Sequence, residues 1–290
     1  MKNLLTFDIE DWYHPNLAHP EALAEMEMED RVVEPTLRIL NILDNTENTA
    51  TFFVVGEIVE KFPDLVREIL ARGHEVGSHG HRHNLVYHYT KHQFETDISR
   101  SIQLLREATG RKILGYRAPS WSLDHDRTPW AWEVLADNEL QYDSSLYPYK
   151  TFLYGSNEAP TTRYLVDIDD GRKMREIPPS AIELAGRRFP FSGGFFFRAA
   201  PLWYIFWCIR RYNAAGHPAN IYLHPWEIDP GQPRVPVGPK DRLILYLNIS
   251  RTERKLQRLC ETFRFVSIRE HLGLEQKSIE VQRMAKASVA

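Results

Sequence analysis

Cysteine is nearly absent: Cys208 and Cys260 are the only two thiols in 290 residues, too few for a disulfide framework. Their apolar, helix-like surroundings make both read as small buried hydrophobes. Long hydrophobic runs are missing as well. The longest, Ala199 to Ile209, has 11 residues, against the roughly 20 that span a bilayer, so no transmembrane segment is expected. No leader-like apolar stretch follows Met1, because Asp8, Glu10 and Asp11 arrive almost at once, and a cytoplasmic location is the expectation. Charge of one sign is not in excess either. Lys and Arg total 36 against 39 Asp and Glu, a net charge of −3, which offers no footprint for nucleic acid or an anionic membrane surface. Internal repeats and low-complexity tracts are lacking, which excludes solenoid, collagen-like and disordered classes. What is present is an ordinary globular composition, 43% hydrophobic and 12% aromatic, long enough to bury a large core without staples.

Short apolar runs alternate with amphipathic segments, the pattern of βα units around a parallel sheet, so the fold class is α/β. Asn3–Ile9 reads as a buried first strand and EPTLRILNILDN as the helix after it. ATFFVVG (Ala50–Gly56) is a second strand, followed by a helix broken at Pro63 and stopped at Gly73. HEVGSHGHRH begins as a strand and becomes a loop, and HQFETDISRSIQLLREATG is the cleanest amphipathic helix. LGYRAPSW and ELQYDSSLYP look like further strand ends, PLWYIFWCIRRYNAAG a buried helix, and ANIYLHPWE the last clear strand. Residues 1–228 are read as one domain carrying an insertion of some β character around 149–197, and 229–290 as an extension packed on it. The polar C-terminal stretch from Glu275 is expected to fray or to form a peripheral helix.

Twelve histidines matter here by placement. His79 and His83 are four apart in SHGHRH, and on a helical turn two imidazoles at that spacing share a face and can hold one metal ion. The first strand ends in FDIEDWYH, where Asp8 and Glu10, two apart, face the same side, and Asp11 lies just beyond. One carboxylate to hold metal and another to act as base is what metal-assisted hydrolysis needs. YLHPWE puts His224 at another strand end, where an imidazole can protonate a leaving group, with Trp226 and Glu227 beside it. GYRAPSW puts Arg117 at a comparable end, able to pair with a catalytic carboxylate.

LTFDIED, ATFFVVG…GHEVGSHGHRH, YRAPSW and YLHPWE, in this order, resemble the polysaccharide deacetylase family of NodB-homology, or carbohydrate esterase family 4, enzymes. FDIEDWYH, RFPFSGGFFFR and LHPWEIDP resemble its branch found with bacterial exopolysaccharide loci. The resemblance implies a distorted (β/α)7 barrel and a divalent metal, most commonly Zn²⁺. It implies His79 and His83 as ligands, Asp8 as base, Arg117 as its orienting partner and His224 as acid. Many members carry two adjacent aspartates in the first motif, whereas here Asp8 is followed by Ile9, Glu10 and Asp11. Strand alternation favours Glu10 as third ligand, with Asp11 as the alternative, and Trp121 and Trp226 are substrate-binding candidates. The implied reaction removes N-acetyl groups from amino sugars of an exopolysaccharide or cell-envelope glycan. Two other readings stay open: hydrolysis of another linear or cyclic non-peptide amide, and a non-catalytic carbohydrate-binding barrel. An N-acetylated glycan is the expected partner, and self-association into a homo-oligomer is left open.

Overall fold

The computed structural model describes residues 1–16, 20–151, 154–168 and 171–275, so the C-terminal stretch expected to fray lies, from 276 on, outside the described residues. Strand β1 (Asn3–Ile9) is buried along its whole length. Both faces of a parallel sheet are covered, so Leu4, Leu5, Phe7 and Ile9 are buried on either side, along with the polar Asn3, Thr6 and Asp8. β2 (Thr51–Val54), β3 (Glu75–Ser78), β4 (Gly115–Tyr116) and β5 (Tyr142–Asp143) follow side by side, all parallel. β6 (Tyr164–Asp167) folds back antiparallel on β7 (Lys173–Glu176), which continues the sheet beyond β5. β8 (Ala181–Leu184) and β9 (Arg187–Pro190) form a separate hairpin, so the stretch 149–197 has the β character its sequence suggested. β10 (Asn220–Leu223) lies on the other side of β1, with Leu223 opposite Phe7, and the short β11 (Phe265–Val266) pairs with the start of β1.

The sheet curls but is not closed by a continuous ladder. Along the outer edge of β10, the Tyr222 N–H donates to the Ser192 carbonyl (2.8 Å) and the Asn220 N–H to the Ser180 hydroxyl (2.8 Å). Irregular chain thus completes a half-barrel, the distorted form the resemblance implied.

Helix punctuation follows the sequence closely. The helix Gly56–Lys61 ends before Pro63, which opens the next helix, Pro63–Ala71. Lys91–Thr109 starts at a Thr90/Gln93 capping box and stops at Gly110 in the left-handed region (φ 63°). One expectation needs correcting. Leu202–Ala214 is not a fully buried helix: Ile205, Cys208, Ile209 and Tyr212 form its buried stripe, while Trp203 (71% exposed) and Trp207 (40%) face outward. Its apolar content is simply wider than one helix face can bury. Cys208 and Cys260 are buried free thiols, as their surroundings suggested. Among the described residues no helix is long and apolar enough to cross a membrane.

Candidate active site

The C-terminal ends of the parallel strands converge on one cavity of about 570 Å³, whose lining includes Asp8, Glu10, His79, Trp121, His224 and Trp226. β1 delivers Asp8 and, one step past its end, Glu10; both carboxylates are buried. Glu10 meets the two imidazoles of the His-x₃-His pair: Oε2 lies 3.7 Å from His79 Nε2 and abuts His83 Nε2. Ligand atoms of Glu10, His79 and His83 all lie within 4.8 Å of one another.

The two histidines do not converge by helical spacing, as the i, i+4 argument supposed. Residues 79–83 form a loop bent through left-handed backbone at Gly80 (φ 74°) and at His83 (φ 54°). Asp97, on the helix Lys91–Thr109, fixes that loop by accepting from the backbone N–H groups of His81 (2.7 Å) and Arg82 (3.3 Å). His79 Nδ1 donates to the Arg117 carbonyl (2.8 Å), which leaves its Nε2 bare toward Glu10. Nδ1 of His83 is buried without a hydrogen-bond partner among the described residues. Burial would raise the Glu10 carboxyl, but the facing His83 and His224 hold it well below the usual carboxylate range. One anionic oxygen and two imidazole nitrogens, buried and convergent, fit a divalent cation of the zinc type. Asp11 is committed elsewhere. Its oxygens accept from the backbone N–H groups of Trp12 (2.8 Å), Arg31 (2.6 Å) and Val32 (2.9 Å), away from the histidines.

On the other side of Glu10, Arg117 leaves the end of β4 and donates from Nη1 to Asp8 Oδ1 (2.7 Å) and to Thr6 Oγ1 (2.8 Å). Its Nε and Nη2 reach the Ser144 carbonyl (3.1 Å) and hydroxyl (2.8 Å), so the planar guanidinium sits in one orientation. His224, past the end of β10, points Nε2 at Asp8 Oδ2 (3.7 Å) and Glu10 Oε1 (3.8 Å). Glu227 accepts its Nδ1–H (2.8 Å). Burial alone would depress this imidazole, yet Glu10, Glu227 and Asp8 push it up to about 9. Trp226 stacks on His224 (ring centroids 5.1 Å) and donates Nε1–H to Glu10 Oε1 (2.9 Å). Trp121 reaches the same cavity but packs one face on Arg117, 4.8 Å from the guanidinium carbon.

Two functional-looking residues escaped the sequence reading. Arg198, buried at the end of RFPFSGGFFFR, pairs with Glu227 (2.6 Å); a lone cation closing an apolar run was its signal. His14, last residue of FDIEDWYH, sits edge-on to His83 with centroids 5.4 Å apart, and burial pushes its imidazole down to about 3.

Residues 5–142 match the family model described as polysaccharide deacetylase. This part, just under half of the chain, is a domain of the polysaccharide deacetylase family. Residues 144–273 match a second model, described as a domain of unknown function (DUF3473), and His224, Glu227 and Arg198 come from this region. Similar curated proteins include the peptidoglycan deacetylase of Helicobacter pylori, 32% identical over 109 residues, which are 38% of this chain and 36% of that one. A peptidoglycan-N-acetylglucosamine deacetylase of Bacillus cereus is 30% identical over 35% of this chain and 37% of its own. The match thus spans little more than a third of these relatives. Among solved structures, a Mycobacterium smegmatis protein provisionally assigned as a polysaccharide deacetylase aligns at TM-score 0.60 and 22% identity, over 94% of this chain and 91% of that one. Puue allantoinase aligns at 0.58 and 17%, over 91% and 85%. These likenesses establish the distorted NodB-type barrel as the fold of this chain.

Proposed function

We propose that the protein is a metal-dependent N-deacetylase acting on N-acetylated amino sugars of an exopolysaccharide or cell-envelope glycan. The observation that carries this reading is the convergence of Glu10, His79 and His83 beside the Asp8–Arg117 pair and the Glu227-held His224 at one cavity. Glu10, His79 and His83 are the residues that would hold the cation. When bound, a divalent cation supplies Lewis acidity, favouring ionisation of water and polarising the acetamide oxygen. Asp8, held by Arg117, accepts the proton of the attacking water. His224 carries a proton on Nε2, with Nδ1–H occupied by Glu227, and gives it to the departing amine, releasing acetate and a free amino group. Trp121, Trp226 and the phenyl rings of Phe195 and Phe196 offer the apolar surfaces on which a sugar ring packs. A cytoplasmic location belongs to the same proposal and is read by cell fractionation.

The deciding experiment incubates purified protein, with its metal content measured, with oligomers of N-acetylglucosamine and follows acetate. The reading expects one divalent ion per chain, acetate release, and loss of both in His79→Ala. Metal-loaded protein that frees no acetate from any N-acetylated glycan would overturn it.

A further inference from the structure

Arg198 is buried, 1% exposed, and four of its guanidinium hydrogen bonds go to named partners. Nε donates to Glu227 Oε1 (2.6 Å), Nη1 to the carbonyls of Leu245 (3.0 Å) and Leu247 (2.8 Å), and Nη2 to that of Ile244 (2.5 Å). The three carbonyls belong to the end of the helix Pro239–Tyr246 and the residue after it. Ile244 and Leu245 line the active-site cavity, as Arg198 itself does. Glu227 spends its second oxygen on the His224 backbone N–H (3.0 Å) and Nδ1 (2.8 Å). An unbroken chain of bonds therefore runs from one cavity wall, through Arg198 and Glu227, to the imidazole facing Asp8. The guanidinium also lies over the Trp226 ring (5.6 Å), which in turn stacks on His224.

The platform under Arg198 is itself fastened. Lys255 Nζ donates to the carbonyls of Arg198 (2.7 Å) and Ala200 (2.7 Å), and Asn248 Nδ2 to that of Arg198 (3.0 Å). A fully buried ion pair is a weak source of stability, since well-packed apolar residues often do as well. What this one provides is direction: planar, forked donors hold one carboxylate and three carbonyls in a single geometry, which no ammonium can reproduce.

We propose that Arg198 is a positioning residue of the reaction, fixing the His224 imidazole through Glu227 and holding the wall Ile244–Leu247 in register with it. The proposal rests on the N-deacetylase reading, and it gives the region of unknown function a role, that of presenting the acid half of the site.

An amine is expelled only after gaining a proton, whereas 4-nitrophenolate is a weak enough base to leave without one. Comparing an N-acetylglucosamine oligomer with 4-nitrophenyl acetate thus isolates the acid step from metal, base and fold. In Arg198→Met the ratio of amide to ester kcat/KM is expected to fall at least about 30-fold, part of the roughly 10²–10⁴-fold that general acid catalysis supplies. In Arg198→Lys, which keeps a cation beside Glu227 but loses the fork, kcat on the amide is expected to recover only in part, and KM to rise because the wall Ile244–Leu247 loses its donors. Equal losses on both substrates, or none on the amide, in protein of unchanged melting temperature and metal content, would overturn the assignment. Should Arg198→Met not fold, Glu227→Gln carries the same comparison: a selective amide loss supports the chain of bonds and a proportional loss defeats it. Wild-type protein that cleaves the ester but no N-acetyl glycan would remove the underlying reading instead.

Discussion

Asp8 and Glu10 stand two residues apart and do different work because the strand ends between them. Asp8 Oδ1 is held by Arg117 and its Oδ2 faces His224, while Glu10 turns to the two imidazoles. Asp8→Asn keeps the shape and the Arg117 contact through its amide oxygen but can no longer take a proton. Turnover should drop about 10²–10⁴-fold, the usual worth of a positioned base, with the divalent ion still present by elemental analysis. Undiminished acetate release would refute Asp8 as base. Glu10→Ala is expected to lose the ion and Asp11→Ala to keep it, because Asp11 is engaged by the backbone at 31 and 32. That engagement was beyond the reach of the sequence: strand alternation favoured Glu10, but only folding brings a loop twenty residues away onto Asp11. The lone cation closing an apolar run marked Arg198 in the sequence, but its partners, 29 to 49 residues downstream, were illegible for the same reason.

Elements carried more of their own structure in plain view. Short apolar-rich runs marked β1, β2 and β10, and a capping box with a glycine stop marked Lys91–Thr109. The two-residue strands β4 and β5 were visible only as strand ends, being too short for any periodicity. β5 and β7 also hide a pair of acids. Asp143 and Glu176 are direct cross-strand partners, both fully buried. Burial, only partly offset by hydrogen bonds from Ser145, Trp132 and the Ser144 N–H, pushes Asp143 up to about 6; burial and the neighbouring Asp143 push Glu176 well above its ordinary range. Folded-state values above unfolded ones mean that the protonated carboxyls favour the fold, fully so below about pH 4, and that this contribution is lost as pH rises through 6 and beyond. Glu176→Gln removes one titration and the repulsion with it. Urea unfolding should show the variant gaining stability over wild type at pH 8 by about 1–3 kcal/mol, and little or nothing at pH 4.5. An identical pH dependence in the two proteins would exclude the buried acids as its source. Ser144, between them in the chain, holds Arg117, so the same pair underlies the platform of the arginine that fixes Asp8.

At the scale of the whole molecule, the boundary between the two family models falls where the sheet has no seam. β1 lies between β2 of the first half and β10 of the second, and β11, from near the end of the described chain, pairs with it too. β5 and β7 join across the same boundary. The main apolar cluster includes Phe7, Phe52 and Leu105 from one side and Ile209, Ile221 and Leu256 from the other. Cutting between the halves would strip β10 from one edge of β1 and β11 from the start of the other, and leave apolar surface open on both pieces, while separating Asp8 from His224. The two halves should therefore unfold together. Calorimetry is expected to give one transition whose calorimetric and van't Hoff enthalpies agree. Amide exchange at Leu5 and Phe7 should share its opening free energy with Leu223 and Val266, since none of these strands can leave without exposing the others. Two transitions, or β10 and β11 exchanging well before β1, would mean that the second region docks on an independently stable barrel. The division 1–228 and 229–290 predicts something else: β11 alone would open early, with β10 held to the end. A single opening energy across all four positions would make the two-part candidate site a consequence of one cooperative fold, in which Asp8 and His224 are brought together or parted only as a unit.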